Sequence, residues 1–193
     1  MTTRANAAAA TGERLLAAAW EQFGSRPYEE VRLQDIATEA GVTVQTLYLR
    51  FGSKDDLLTA AYRWWGTQEM ADRDEAQGKE VPEAVGIVFA HYESHGPAIL
   101  RMLSQEDRVP AIRYLMDAGR DYHRKWVERT FKSHLHGLRG RRRERRLLSL
   151  IVATDVYVWK LLRVDMGVDR SEAEQIVTDM VRALSADIST SES

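Results

Sequence analysis

The sequence predicts an all-α protein, and three observations support this fold class. Apolar residues recur at the helical spacing i, i+3, i+4 and i+7 over most of the chain. No segment shows the alternation of apolar and polar residues, bounded by turn signals, that is typical of a half-buried strand. Glycine and proline fall between the apolar stripes, where helices end and begin. We therefore expect helices joined by short connections throughout the 193 residues.

The composition is that of a globular protein, with 44% hydrophobic and 29% charged residues. The absence of cysteine excludes disulfides and thiolate metal sites, and is typical of a reducing compartment. The N-terminus has no secretory signal pattern. We therefore expect a cytoplasmic protein. The net charge of −2 gives no overall support to nucleic-acid binding.

The first predicted helix begins at Thr11, because residues 1–10 show no apolar stripe. Its inward face consists of Leu15, Leu16, Ala19, Trp20 and Phe23. Glycine and proline at positions 24 and 27 end it.

Residues 33–51 predict two short helices joined by a glycine turn. Gly41 follows the first apolar stripe and can take the left-handed conformation that often ends a helix. Thr43 is a candidate N-cap for the second helix. The stripes comprise Leu33, Ile36, Ala37 and Ala40, then Val44, Leu47, Tyr48 and Phe51. This is the pattern of a helix-turn-helix, although any two short helices around a glycine turn share it.

The second helix of such a motif can enter the DNA major groove and read base edges. Its exposed face would carry Thr43, Gln45, Thr46 and Arg50. Gln45 suits bidentate contact with adenine, and Arg50 suits guanine or phosphate.

An ordered set of residues from Ile36 to Leu58 resembles the N-terminal DNA-binding domain of the TetR family of transcriptional regulators. The matching residues are Ile36, Ala37, Ala40, Gly41, Val42, Thr46, Leu47, Tyr48, Phe51, Lys54, Leu57 and Leu58. The resemblance implies that Tyr48 and Lys54 contact phosphates and that residues 43–46 meet base edges. The full set of DNA contacts we predict is Arg32, Gln34, Thr43, Val44, Gln45, Thr46, Tyr48, Leu49, Arg50 and Lys54. Three of these, Arg32, Gln45 and Arg50, depart from the commonest family pattern, and Gln45 and Arg50 bear on the operator sequence because they lie on the reading face.

The predicted head is not basic. Residues 1–60 hold six Lys or Arg and eight Asp or Glu, a net charge of −2. Binding therefore depends on locally placed cations, backbone N–H groups and two copies of the motif.

The rest of the chain predicts further helices. Ser53 and Asp56 form a capping pattern that begins a helix running to about Gln77. The next helix starts at Pro82 and stops at Gly96 and Pro97, and another long helix runs from Pro110 to about Gly137.

The segment from Leu147 to Val164 is apolar on almost every face. Asp155 and Lys160 make it a poor membrane span, so no membrane association is expected. We interpret it as a buried helix that pairs with the helix after Ser171 to form a homodimer interface, as the family resemblance also implies. A wholly intramolecular core is the alternative. The predicted interface residues are Ile151, Asp155, Trp159, Leu162, Ile176, Met180 and Leu184.

The remaining sequence patterns give weaker indications of function. The basic run at 139–146 lies between two long helices and is interpreted as a solvated connection. His91 and His95 do not match the zinc-protease order, and we find no nucleophile motif. We therefore predict no catalytic residues, no metal and no cofactor.

The sequence thus predicts a DNA-binding domain at residues 1–55 and an effector-binding and dimerisation domain at 56–193. The resemblance implies a repressor that leaves a near-palindromic operator when an unknown small molecule binds. The predicted effector pocket comprises Phe89, Tyr92, Met102, Tyr122 and Trp126. A small helical enzyme and an interaction protein without DNA binding are the alternatives.

Overall fold

The computed structural model describes residues 2–186, without the side chains of residues 2–5, 7, 8, 68, 185 and 186. These residues form helices and no β-strand, which confirms the all-α class. A short 3-10 turn at Tyr28–Glu30 and a π-helical segment at Lys160–Asp165 accompany the α-helices. The α-helices are α1 (Thr2–Ser25), α2 (Leu33–Glu39), α3 (Val44–Phe51), α4 (Lys54–Asp74), α5 (Val81–Leu103), α6 (Pro110–Thr130), α7 (Lys132–Leu135), α8 (Gly140–Ala153), α9 (Val156–Trp159) and α10 (Arg170–Ala186).

Three predicted helix boundaries are wrong, one of them the end of α6, which lies at Thr130 rather than at about Gly137. α1 begins at Thr2 rather than Thr11; alanine, which fills positions 7–10, has the highest helix propensity and needs no apolar stripe. α5 passes through Gly96 and Pro97 and ends at Leu103. A Cβ on Gly96 would lie 2.4 Å from the indole of Trp159, so this glycine permits close packing rather than ending the helix.

The predicted single helix from Leu147 to Val164 is interrupted. α8 ends at Ala153, and Asp155 has extended backbone angles (φ −78°, ψ 152°). Its carboxylate accepts a hydrogen bond from the Tyr157 N–H at 2.9 Å and so caps α9. Asp155 therefore begins a new helix, which sequence periodicity did not indicate.

The described chain forms two compact units. The first contains residues up to Glu69 and the segment 97–118, and the second contains 70–96 and residues from 119 onward. α4, α5 and α6 each contribute residues to both units. This division by packing differs from the predicted functional boundary at residue 55, which stays a prediction.

Each unit has its own apolar core. That of the first unit includes Leu15, Phe23, Ile36, Leu47 and Leu57, all at most 3% exposed. The second unit buries Phe89, Trp126, Leu147, Leu150 and Val177. None of the helices within residues 2–186 is long and apolar enough to cross a membrane.

Candidate nucleic-acid interface

The turn between α2 and α3 is fixed by backbone hydrogen bonds. The Gly41 N–H donates to the Thr38 carbonyl at 3.1 Å, and the Val42 N–H donates to the Ala37 carbonyl at 2.9 Å. This pair of bonds is the Schellman arrangement, and it requires the left-handed φ of 71° found at Gly41. The predicted helix-turn-helix is therefore present, with its turn set by glycine.

α3 is anchored on one side and open on the other. Leu47 is fully buried in the core of the first unit. The Thr43 side chain accepts a hydrogen bond from the Thr46 N–H at 3.2 Å, which confirms the predicted N-cap. The Gly52 N–H donates to the Tyr48 carbonyl at 2.9 Å at the other end. The exposed side chains of this helix and its cap are Thr43, Gln45, Thr46, Tyr48, Leu49 and Arg50, whereas Val44 is half-buried.

The exposed face of α3 can make both hydrogen bonds and apolar contacts with bases. Gln45 offers an amide that suits adenine, and the Thr46 hydroxyl, 2.9 Å from that of Thr43, can donate or accept. Leu49 is 82% exposed, and an apolar side chain at such a position can contact a thymine methyl. Tyr48 is 50% exposed and its hydroxyl can reach phosphate.

Arg50 is placed differently from the other residues of this face. Its guanidinium lies against Gly12 of α1, where an added Cβ would be 2.1 Å from Nη2. It is also 5.8 Å from the centroid of the Phe51 ring. Arg50 thus packs along α1 in this structure, a position that only a residue without a side chain at 12 allows.

Lys54 is held by Tyr28. Its Nζ donates to the Tyr28 carbonyl and lies 4.2 Å from the centroid of the Tyr28 ring. Burial lowers the pKa of Lys54, while Glu29 and Asp55 oppose the shift. An ammonium group has three donors, so the carbonyl bond still leaves N–H groups for a phosphate.

The support behind Lys54 was not predicted from the sequence. The Tyr28 hydroxyl donates to the Asp55 carboxylate. Burial is the main cause of the raised pKa of Tyr28. The Tyr28 N–H donates to Oε1 of Gln105 at 2.7 Å. Gln105 is 3% exposed and more than seventy positions away in the sequence, so local patterns could not reveal this contact.

The beginnings of α2 and α4 frame the motif. Arg32 and Gln34 are exposed at the start of α2, and the Gln34 amide donates to Thr38 Oγ1 at 3.4 Å. At α4 the Asp56 N–H donates to Ser53 Oγ at 3.0 Å, which confirms the predicted cap.

The predicted effector residues do not all lie together. Tyr92, Tyr122 and Trp126 of the second unit surround Arg73, and Phe89 is buried in the same unit. Met102 is wrong as a member of this group, because it is packed in the core of the first unit. Arg73 and His123 were missed, because the sequence alone does not distinguish a buried arginine from a solvated one.

The histidine pair on α5 belongs to this second unit. The rings of His91 and His95 have centroids 5.2 Å apart. Burial, followed by the charge of Arg73, lowers the pKa of His91 to about 2, so its imidazole is neutral.

The structure changes the predicted pairing face. Trp159 and Leu162 are 4% and 8% exposed, and the indole N–H of Trp159 donates to Glu93 at 2.9 Å inside the subunit. They are therefore core residues. Large apolar side chains are exposed instead at Leu148 (48%), Val152 (60%), Tyr157, Leu161 and Val164, with Met180 at 40%. A groove between α8 and α10 is lined by the apolar residues Leu148, Val152, Ala153, Met180 and Leu184, together with Arg141, Glu144, Arg145 and Ser149. Ile151, Asp155 and Ile176 are half-buried.

The rigid glycine turn, the capped helix and its open polar face define a helix-turn-helix regulator. Residues 15–61 match the family described as bacterial regulatory proteins, tetR family. These residues therefore form a helix-turn-helix domain of the TetR type, which covers about a quarter of the 193-residue chain.

Solved structures of transcriptional regulators have a similar fold. A transcriptional regulator from Rhodococcus sp. Rha1 is 16% identical, with a TM-score of 0.67 over 89% of this chain and 94% of its own. A TetR-family regulator from Streptomyces coelicolor is 22% identical, with a TM-score of 0.63 over 89% and 79%. A TetR regulator from Haloarcula marismortui is 16% identical, with a TM-score of 0.62 over 92% and 97%. No curated protein matches the chain significantly.

Proposed function

We propose that this protein is a homodimeric repressor that binds a near-palindromic operator and releases it when a small molecule occupies the second unit. The observation that carries the DNA-binding part is the open polar face of α3 on a helix anchored by Leu47. Gln45 and Thr46 read bases, and Tyr48 and Lys54 contact phosphates. Arg32 and Gln34 lie at the start of α2, where the flanking backbone passes, and Arg50 reaches the DNA by leaving Gly12.

Charge supports a dependence on two copies. The head carries a net charge of −2, so nonspecific attraction to DNA is weak for one motif. Two linked motifs give a much higher affinity, because the second contact becomes intramolecular. The exposed apolar stripe from Leu148 to Val164, together with Met180, supplies a surface that a second copy can cover.

The DNA-binding experiment measures fluorescence anisotropy with duplexes from the region upstream of the gene and with a randomised pool. Gln45→Ala is expected to lose preference at one base position, by about 1–3 kcal/mol. Tyr48→Phe is expected to weaken binding to all sequences, because it removes a phosphate contact. Glu21→Gln, exposed on α1, is the control. The absence of any specific duplex from the selected pool would refute the proposal.

The dimer experiment measures mass in solution by light scattering. Val152→Asp and Met180→Asp place a charge on exposed apolar positions and are expected to give monomers that bind DNA at least about tenfold more weakly. Gln175→Asp, on another face of α10, is the matched control and should stay dimeric. An unchanged mass for both aspartate variants would exclude this face.

A repressor of this kind acts on DNA in the cytoplasm, and we propose that location. Effector release requires a ligand whose affinity differs between the DNA-bound and free states. The two other candidates, a helical enzyme and an interaction protein without DNA binding, have no specific observation in their favour.

A further inference from the structure

The second unit contains a buried arginine without an acidic partner. Arg73 of α4 is 6% exposed, and none of the ion pairs found among residues 2–186 includes it. Within the same described residues its Nε has no hydrogen-bond partner. Its Nη2 donates to Nδ1 of His123 at 2.9 Å. A guanidinium taken out of water without an anion is costly, so its retention requires a reason.

Three aromatic rings surround this guanidinium. Its Cζ lies 4.8 Å from the centroid of the Trp126 ring, 5.3 Å from that of Tyr122 and 5.8 Å from that of Tyr92. Ring faces attract a cation, but they do not satisfy its N–H groups. The surroundings therefore stabilise the charge only in part and leave donor capacity for an acceptor.

The histidine that accepts from Arg73 carries no charge of its own. Burial and the charge of Arg73 lower the pKa of His123 to about 3, so the imidazole is neutral and accepts at Nδ1. Its Nε2 then donates to Thr154 Oγ1 at 3.3 Å, and that hydroxyl donates to the Leu150 carbonyl at 2.8 Å. Three carboxylates of this region have other neighbours: Asp74 binds Arg129 at 2.8 Å, Asp155 caps α9, and Glu69 lies within 4.8 Å of His91 and His95.

We propose that Arg73 recognises the carboxylate of a small-molecule effector whose apolar or aromatic body packs against Tyr92, Tyr122 and Trp126. This rests on the proposed function, which assigns an effector to the second unit, and adds the chemical class of that effector. The planar guanidinium suits a carboxylate, since it can donate two parallel N–H bonds. A carboxylate at Nε would supply the acceptor that the protein itself does not provide.

Tyr122 is the side chain past which the ligand enters. It is half-buried, whereas Trp126 is fully buried and Tyr92 is 5% exposed. Its hydroxyl donates to Asp74 Oδ1 at 3.1 Å and lies 3.2 Å from the Met70 carbonyl.

The test measures Tm for the full chain, without DNA, in a panel of carboxylates from acetate to 2-naphthoate. Each carboxylate is paired with its neutral amide, for example benzoate with benzamide, at constant ionic strength. At least one carboxylate is expected to raise Tm by about 5–10 °C at a hundredfold excess over its Kd, and its amide is not. Equal effects of acid and amide, or no effect from any carboxylate, would overturn the proposal.

Three variants locate the effect. Arg73→Met is expected to fold with unchanged or higher Tm, because an apolar side chain removes a buried charge, and to lose the carboxylate response. Arg73→Lys keeps the charge without the planar fork and is expected to bind at least about tenfold more weakly. Arg124→Met removes a neighbouring arginine that pairs with Glu144 at 2.9 Å, and is expected to respond like the wild type.

The outcomes separate this inference from the proposed function. A carboxylate response that survives Arg73→Met refutes the assignment of Arg73. If Arg73→Met instead lowers Tm strongly and fails to fold, Arg73→Lys decides, since a carboxylate response equal to that of the wild type overturns the proposal. If carboxylates bind through Arg73 but DNA affinity does not change, the site exists and the effector-release function fails.

Discussion

The candidate sites of the two units place their polar side chains in opposite ways. In the first, α3 turns Gln45 and Thr46 to the outside and keeps only Leu47 in the core. In the second, Arg73 and His123 are buried among aromatic rings. An outward polar face can contact a macromolecule such as DNA without unfolding. An inward polar cluster is accessible only to a small molecule, and a change in its charge affects the stability of the whole unit.

The largest expected effect tests the anchoring of α3. Leu47→Ala removes a fully buried side chain and is expected to cost about 2–5 kcal/mol of the free energy of unfolding. Leu49→Ala, two residues away and 82% exposed, is the control and should change stability by at most about 0.5 kcal/mol. Urea denaturation followed by circular dichroism measures both. Similar losses would mean that α3 is not anchored as described.

The next effect tests the inward cluster through pH. The pKa of His123 is about 3 when folded and about 6.5 when unfolded, so the unfolded state binds the proton first as pH falls. His123 should therefore lower the free energy of unfolding as pH falls from 6.5 towards 3, by up to about 1.4 kcal/mol per pH unit, and His91, whose pKa is also lowered, adds a similar contribution. His123→Gln should reduce the slope of this free energy against pH by the contribution of one proton, about 1.4 kcal/mol per pH unit. An unchanged slope in that variant would show that His123 is not the group responsible.

A smaller effect concerns the glycine turn. Gly41→Ala places a Cβ at φ 71° and is expected to cost about 1–2 kcal/mol. No atom lies within 4 Å of the added Cβ, so the cost is conformational rather than steric. Gly41→Asn is the matched variant, since asparagine tolerates this conformation better, and it should recover part of the loss in thermal unfolding. Equal losses would contradict this explanation.

The smallest effect concerns Arg50. Gly12→Ala should raise the free energy of unfolding by up to about 1 kcal/mol, because alanine favours the interior of α1 and only the far end of the Arg50 side chain must move. DNA affinity is nevertheless expected to change, since the guanidinium is displaced from α1. In Arg50→Ala the same substitution at 12 should have no effect on binding. If Gly12→Ala still changes DNA affinity in the Arg50→Ala variant, the effect comes from α1 and not from Arg50.

The helix-turn-helix was predictable because its determinants are local. Gly41, the Thr43 cap and the buried positions of α2 and α3 lie within about twenty residues. The continuation of α5 through Pro97 was not predictable, because Trp159 packs on Gly96 from a distant part of the chain. Arg73 was missed for the same reason: its sequence surroundings are polar, and the rings that bury it come from α5 and α6.

The predicted dimer face includes two buried residues, and the reason is a break in the helix. Periodicity correctly indicated that 147–164 is too apolar for a single inward stripe. It assumed a continuous α-helix, however, and so selected Trp159 and Leu162, which are core residues. The real exposed positions depend on a break that Asp155 caps.

The break at Thr154 and Asp155 adds one residue between the two halves of the exposed apolar stripe. The exposed apolar side chains fall at 148, 152, 157, 161 and 164, with a step of five across the interruption. In an unbroken α-helix each residue turns the chain by about 100°, so a step of five would carry the second half of the stripe well off the line of the first. The interruption instead keeps both halves exposed. Deleting Thr154 would reduce this step to four, which is the spacing of one face in an unbroken α-helix, so the shortened chain would keep these side chains on a single stripe without the interruption.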